Sequence, residues 1–217
     1  MAKNALETAG AERRKEKVML YNKKYSARVS GARGYAGFRN RLRIKRFLGL
    51  INPKPGERIL EIGCNDGGLL SALKEREAEV FGVDVNEDAL SRIPDLDVRV
   101  ASAENTGFPS GTFHKICAFE VLEHVPDVQA ALREVSRLLV PHGKCYLSVP
   151  YEIIRGEQAL GDAIFAYGDI RKARSLHLHK LTPKKIMRLT EGLPLKKVFS
   201  GLWFIPAPSF VLVLEKT

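Results

Sequence analysis

Apolar residues in this chain follow two spacings that alternate along most of its length. Short, nearly unbroken apolar runs occur at residues 58–64 (Ile59, Leu60, Ile62), 80–85, 98–101, 113–121 and 144–150. Such runs suit strands buried on both faces. Between them lie segments with apolar residues three and four apart: 69–76, 87–93 and 128–139, the last carrying Ala131, Leu132, Val135, Leu138 and Leu139 on one side. The alternation predicts an α/β fold, a parallel sheet with helices on both faces. Thr182, Pro183 and Gly192 mark the N-cap, first turn and stop of a further helix over 182–192. Residues 196–199 and 210–215 are strand-like with no helix between them. They predict a C-terminal antiparallel hairpin at the sheet edge, its long turn carrying Trp203, Pro206 and Pro208, which brings the mixed sheet to seven strands.

Two stretches break this rhythm. Residues 152–181 fit neither period and are read as an insertion after the fifth strand, over the carboxyl ends of the strands where open α/β sheets bind ligands. Ahead of the first strand, residues 12–28 and 38–51 carry amphipathic patterns. In the second, Ile44, Phe47, Leu48 and Ile51 form the apolar stripe, with Arg39, Arg41, Arg43 and Arg46 mostly elsewhere. It is expected to pack on the sheet edge. A glycine-spaced link, residues 30–37, joins the two, and Pro53 and Pro55 stop the second. The organisation expected is a basic helical cap over 1–51 and one larger domain over 52–217.

Composition narrows the class. The chain has 217 residues, 45% of them hydrophobic, enough for one packed domain. No apolar run reaches the ~18 residues of a membrane span, and the polar N-terminus does not read as an export signal. A cytoplasmic protein with reduced thiols is the expectation. Cys64, Cys117 and Cys145 show no metal-ligand spacing. Charge is unevenly placed: residues 1–58 hold 16 basic and 4 acidic residues, 59–150 hold 8 and 15, and 151–217 hold 11 and 6. Basic ends can draw in nucleic acid or an anionic surface, or be solvated helix faces.

The chemistry concentrates at Ile59-Leu60-Glu61-Ile62-Gly63-Cys64-Asn65-Asp66-Gly67-Gly68, where an apolar strand meets a glycine-rich turn that opens a helix. Gly63 permits the turn, and Gly67 and Gly68 are read as admitting a ligand close to the backbone. A dinucleotide fold would place a glycine at Asn65. Glu61, two residues before Gly63, would oppose a pyrophosphate and suit a ligand bearing an ammonium group.

This stretch resembles motif I of the class I S-adenosylmethionine-dependent methyltransferases, Asp/Glu-x-Gly-x-Gly-x-Gly, matched at Glu61, Gly63 and Gly67 and departed from at Asn65. Asn tolerates the left-handed backbone the turn demands. Further segments similar to the family follow in order. Val83-Asp84-Val85 ends the second strand, where Asp84 would take the ribose hydroxyls. Ser102-Ala103-Glu104 with Gly107-Phe108-Pro109 would place Ala103 and Glu104 about the adenine. Phe119-Glu120-Val121-Leu122-Glu123-His124-Val125 is similar to a segment of ubiquinone- and menaquinone-biosynthesis methyltransferases, and would border the methionine part with Phe119 and Glu120 and the substrate with His124. The resemblance covers about residues 40–150. It implies a Rossmann-like fold, S-adenosyl-L-methionine as cofactor, with Cys64, Asn65 and Val85 also beside it, and no obligatory metal.

Methyl transfer from a sulfonium is an in-line displacement with a good neutral leaving group, so alignment and water exclusion are the protein's main work. A base is needed only where the nucleophile must lose a proton. Candidates are His124, His177 and His179; the last two would share one face of an extended segment and act, or be inert, together. Tyr25, Tyr151 and Tyr167 are weaker candidates for orienting a substrate, and Trp203 for a core or lid aromatic. Cys117 and Cys145 lie within strands as core thiols. The segment after the fourth strand lacks the Asn/Asp-Pro-Pro-Tyr/Phe of enzymes that methylate amines of bases, so the expected acceptor is a small or lipid-like molecule. The alternatives are a methyltransferase acting on RNA or protein, a non-catalytic module that binds S-adenosylmethionine, and a nicotinamide-dependent oxidoreductase.

Overall fold

The computed structural model describes residues 35–204 and 207–217. The expected helix over 12–28, with Tyr25, residues 30–34 of the link and Pro206 lie outside these. The first described helix, α1 (Tyr35–Ile51), takes in residues 35–37, which were expected to be link. It is followed by β1 (Arg58–Ile62), α2 (Gly68–Lys74), β2 (Glu79–Asp84), α3 (Glu87–Leu90), β3 (Asp97–Val100), β4 (Phe113–Phe119), α4 (Val128–Leu138) and β5 (Leu139–Pro150). The insertion holds two 3-10 turns (Glu157–Ala159 and Ile170–Lys172) with α5 (Leu160–Tyr167) and α6 (Ala173–Leu176). Then come α7 (Pro183–Leu189), β6 (Leu195–Trp203) and β7 (Ser209–Lys216).

The seven strands form one sheet in the order β3-β2-β1-β4-β5-β7-β6, the first five parallel and β7 antiparallel to both neighbours. The hairpin at the sheet edge is as the sequence predicts, except that Trp203 ends β6 rather than sitting in the turn. α4 is shorter than expected by one residue, because Leu139 turns extended two residues ahead of Pro141. Thr182 caps α7, its hydroxyl accepting from the Lys185 N–H.

Strand alternation divides the core in two. Leu60, Ile62, Ile116, Ala118, Cys145 and Leu147 face the side covered by α4 and α7, and Ile59, Cys117 and Tyr146 face the side covered by α1 and α2. α1 does not sit at the sheet edge. Phe47 and Ile51 are buried against Ile59, Cys117, Tyr146 and Val213, so the helix crosses the middle of the sheet. The reason is area: α2 is only seven residues long, and the apolar stripe of α1 is what covers the central strands on that face. All three cysteines are buried and unpaired.

Candidate active site

The register sets the ends of β1 and β2 side by side, Ile62 opposite Val83, and the Gly63 N–H donates to the Val83 carbonyl at 2.7 Å. Beyond these ends lies a cavity of about 520 Å³. Gly63, Asn65, Asp84, Val85, Ala103, Glu104, Phe119 and Glu120 all line it, so most of the residues singled out in four separate segments converge. This is the carboxyl edge of the sheet, where open α/β folds bind ligands. A smaller recess on the α1 side is lined by Glu61, Cys64, Gly68 and Phe119 together with Asn40, Arg43 and Phe47.

The turn is built as its residue types demand. Gly63 has φ +76°, and a Cβ there would lie 2.5 Å from Val121 Cγ2. Asn65 takes the left-handed backbone, φ 44°. Gly67 differs from the expectation of a ligand-facing glycine. A Cβ on Gly67 would meet Leu96 and Ile93 at 2.7 and 3.0 Å, and one on Gly68 would meet Ile44 at 3.4 Å. The smallness of Gly67 admits side chains of the fold rather than a ligand, and it lines neither hollow, whereas Gly68 meets Ile44 only at ordinary contact distance and lines the recess on the α1 side.

Glu61 shares the α1 face of the sheet with Ile59. It is 8% exposed and its Oε2 has no hydrogen-bond partner. Burial pushes its carboxyl well above the ordinary range, opposed by the Arg43 guanidinium and reinforced by Asp66 and Asp84. Asp84 accepts the Asn65 N–H on Oδ2 and the Asn86 N–H on Oδ1, both at 2.9 Å, and burial raises it in spite of those bonds. Glu120 adopts φ 56°, a strained backbone for a non-glycine residue, and accepts the Ser148 hydroxyl at 2.7 Å. Burial raises it too, partly offset by Ser148 and Arg43.

The far end of the cavity is bordered by Glu123, His124, Val125 and Pro126 and, from the insertion, Gln158, Asp162 and His177. His124 Nδ1 lies 2.7 Å from the Leu176 carbonyl and His177 Nδ1 2.6 Å from Glu152 Oε1. The two rings meet edge to face, 4.9 Å between centroids. Glu123, His124 and His177 each bring a nitrogen or carboxylate oxygen within 4.8 Å of the others. His179 parts from His177: its Nε2 lies 2.9 Å from the Val125 carbonyl and it does not line the cavity. The pair is split because His177 caps the end of α6, so the segment is not a regular strand. Tyr151 stacks edge-on against Phe210, and the Tyr167 hydroxyl is buried in the insertion, so neither borders the cavity.

Arg43, Glu123, Gln158, Asp162 and the Glu152 behind His177 had no assigned role in the sequence. Arg43 carried a usable signal, since it stands four residues before Phe47 and therefore on the edge of the buried stripe. The Glu152–His177 pair carried none, its partners being 25 residues apart across an irregular segment.

Comparison with known proteins agrees with this geometry. A family model described as a methyltransferase domain matches residues 33–190. The chain is 30% identical over 169 residues to a ubiquinone biosynthesis O-methyltransferase of Idiomarina loihiensis, covering 72% of this chain and 69% of the relative. An enzyme of the same name from Pseudomonas aeruginosa is 36% identical over 102 residues, but the match spans only 44% of that relative's length. Among solved structures, the magnesium protoporphyrin IX methyltransferase of Synechocystis PCC 6803, determined with bound S-adenosylmethionine, superposes with a TM-score of 0.67 at 14% identity, covering 91% of this chain and 93% of the other. That likeness is one of fold. With the domain match spanning most of the described chain, and a carboxylate-rimmed cavity at the strand ends, this chain belongs to the class I S-adenosylmethionine-dependent methyltransferases.

Proposed function

We propose that the protein methylates a hydroxyl oxygen on a small, lipid-like aromatic acceptor. S-adenosyl-L-methionine, when bound, supplies an electrophilic methyl group on a sulfonium. The observation that carries the cofactor's placement is the buried Glu61 Oε2, a carboxylate oxygen without a partner in a recess of this shape. An ammonium group fits it, which supports a reading in which the amino end of the donor lies between Glu61 and α1 and Arg43 takes its carboxylate. Asp84 can accept further hydrogen bonds beside its two backbone donors and serves the ribose, while Ala103 and Glu104 flank the adenine. Glu120, held by Ser148, and Phe119 border the methionine portion.

The acceptor would enter from the insertion, between His124, His177, Gln158 and Asp162. The names of the curated relatives support an oxygen acceptor on a lipid-like quinone precursor. The cavity supports a non-anionic one, since Glu104, Glu120, Glu123 and Asp162 line it and Arg43 is the one cationic Lys or Arg side chain among the described residues that do. A polyanionic RNA would meet those carboxylates at the reacting end. Among the described residues no helix is long and apolar enough to cross a membrane.

Titration calorimetry with S-adenosylmethionine and S-adenosylhomocysteine, followed by a screen of alkylated phenols and catechols for methyl transfer, tests this reading. No heat with either nucleoside would overturn the cofactor site. Binding without methylation of any hydroxyl acceptor would overturn the oxygen assignment.

A further inference from the structure

Resting on the reading above, we propose that His177 is the base that takes the acceptor's proton and that Glu152, a residue outside the cavity lining, is its positioning partner. Glu152 follows β5 and is 4% exposed; His177 closes α6 and is 7% exposed. The Glu152 carboxylate is anchored before it meets the ring: Oε1 accepts the Gly156 and Gln158 N–H groups at 3.1 and 3.2 Å and lies 2.6 Å from His177 Nδ1. Burial alone would raise this carboxyl, but the bonds from His177, Gly156 and Gln158 outweigh it and hold Glu152 below its ordinary value, so it is ionised and can only accept. The proton between them therefore sits on Nδ1, which leaves the lone pair on Nε2, the remaining ring nitrogen of a residue that lines the cavity.

His124 is also in the cavity, but its Nδ1 lies against a neutral carbonyl, that of Leu176, and its carboxylate neighbour, buried Glu123, lies 3.6 Å from Nε2, the nitrogen that would have to receive the proton. A carboxylate behind the ring compensates the charge that appears when Nε2 takes a proton, as a carbonyl does not. The other ionisable groups near His177 are Glu120, Glu123 and His124 from the segment after β4, and Asp162 from α5 lines the same cavity.

The step balances as follows. The acceptor O–H proton passes to His177 Nε2, the oxygen pair forms the bond to the methyl carbon, and the carbon–sulfur bond breaks with its electrons remaining on sulfur as a neutral thioether. The imidazolium then returns its proton to water when product leaves. The acceptor class follows: a hydroxyl whose proton must be removed.

The test uses two acceptors of one shape and different acidity, 4-tert-butylcatechol and 4-nitrocatechol, with the full chain. His177→Gln is expected to slow methylation of the first by ~10²–10³-fold and of the second, which gives up its proton unaided, by less than ~10-fold. Glu152→Gln, which can still accept from Nδ1 but carries no charge, is expected to lower kcat for the first acceptor by ~10-fold or more while KM and the affinity for S-adenosylhomocysteine stay unchanged. Equal slowing of both acceptors in either variant would overturn the dyad. So would loss of wild-type activity on chelation that an added divalent cation restores. Failure of the wild type to methylate either catechol would overturn it as well, and donor binding measured on the same sample separates that failure from a failure of the cofactor site.

Discussion

The ring of Phe47 lies flat on that of Phe119, centroids 3.6 Å apart, which ties α1 to the end of β4 where the cofactor cavity begins. Trp203 also stacks on Phe47, centroids 5.7 Å apart, and Arg46 sits over the Trp203 ring. Phe47→Ala is expected to cost about 3–5 kcal/mol of stability, as deletion of a buried aromatic does. It should also weaken S-adenosylmethionine binding, because the same helix presents Arg43. Denaturant melts and calorimetry on one preparation check both; full affinity in a destabilised variant would show that α1 does not shape the site.

Glu61 is where stability and function pull apart. Its carboxyl is raised in the folded protein, so the folded chain keeps a proton that the unfolded chain has lost. The stability tied to this group is present below the ordinary carboxylate range and is lost as pH rises through the raised value. Glu61→Gln should therefore raise the Tm of the ligand-free protein at neutral pH while weakening donor binding by roughly 10–100-fold through a lost charge-assisted contact. Donor binding should release a proton, more of it at lower pH, which calorimetry in buffers of different ionisation enthalpy reads directly. An unchanged Tm and unchanged affinity together would remove Glu61 from the site.

Asp84 holds two backbone N–H groups as well as its proposed ribose contact. Asp84→Ala is expected to weaken cofactor binding by roughly 1–3 kcal/mol and to lower stability, since the Asn65 and Asn86 donors lose their partner. Asp84→Asn, which can still accept from one of them, should recover more of the stability than of the affinity.

Gly63→Val should abolish binding and strongly destabilise, for two separable reasons: a positive φ and the collision with Val121. Gly63→Ala with Val121→Ala removes the collision and leaves the strain. Its Tm is expected to lie between those of Gly63→Ala and the parent. No recovery in the double variant would mean that the backbone alone sets the requirement.

The carboxylates around the cavity predict that methyl transfer is insensitive to added salt. A steep fall in rate with ionic strength on an RNA acceptor, and none on phenols, would reinstate a polyanionic partner.

What the sequence made legible was periodic or local. The parallel strands followed from apolar runs bounded by turns, and the cofactor turn from Glu61, Gly63 and the left-handed tolerance of Asn65. What escaped it depended on contacts between distant segments. The stripe on α1 was visible, but not that α2 would be too short to cover the sheet, which brings Arg43 over Glu61. His177 and His179 looked equivalent because alternation assumes a strand; a helix end at His177 sends one ring to the cavity and the other to the Val125 carbonyl. The smallness of Gly67 was visible and its beneficiary was not, because Leu96 and Ile93 reach it only once the layers are packed.

The cysteines bear on how the protein can be studied. Cys64, Cys117 and Cys145 are buried, and burial pushes each thiol up and away from the reactive thiolate. Maleimide chemistry should therefore leave the native chain unlabelled, and a single cysteine installed at exposed Ile153 would become an addressable point for a fluorophore that reports on the insertion during turnover.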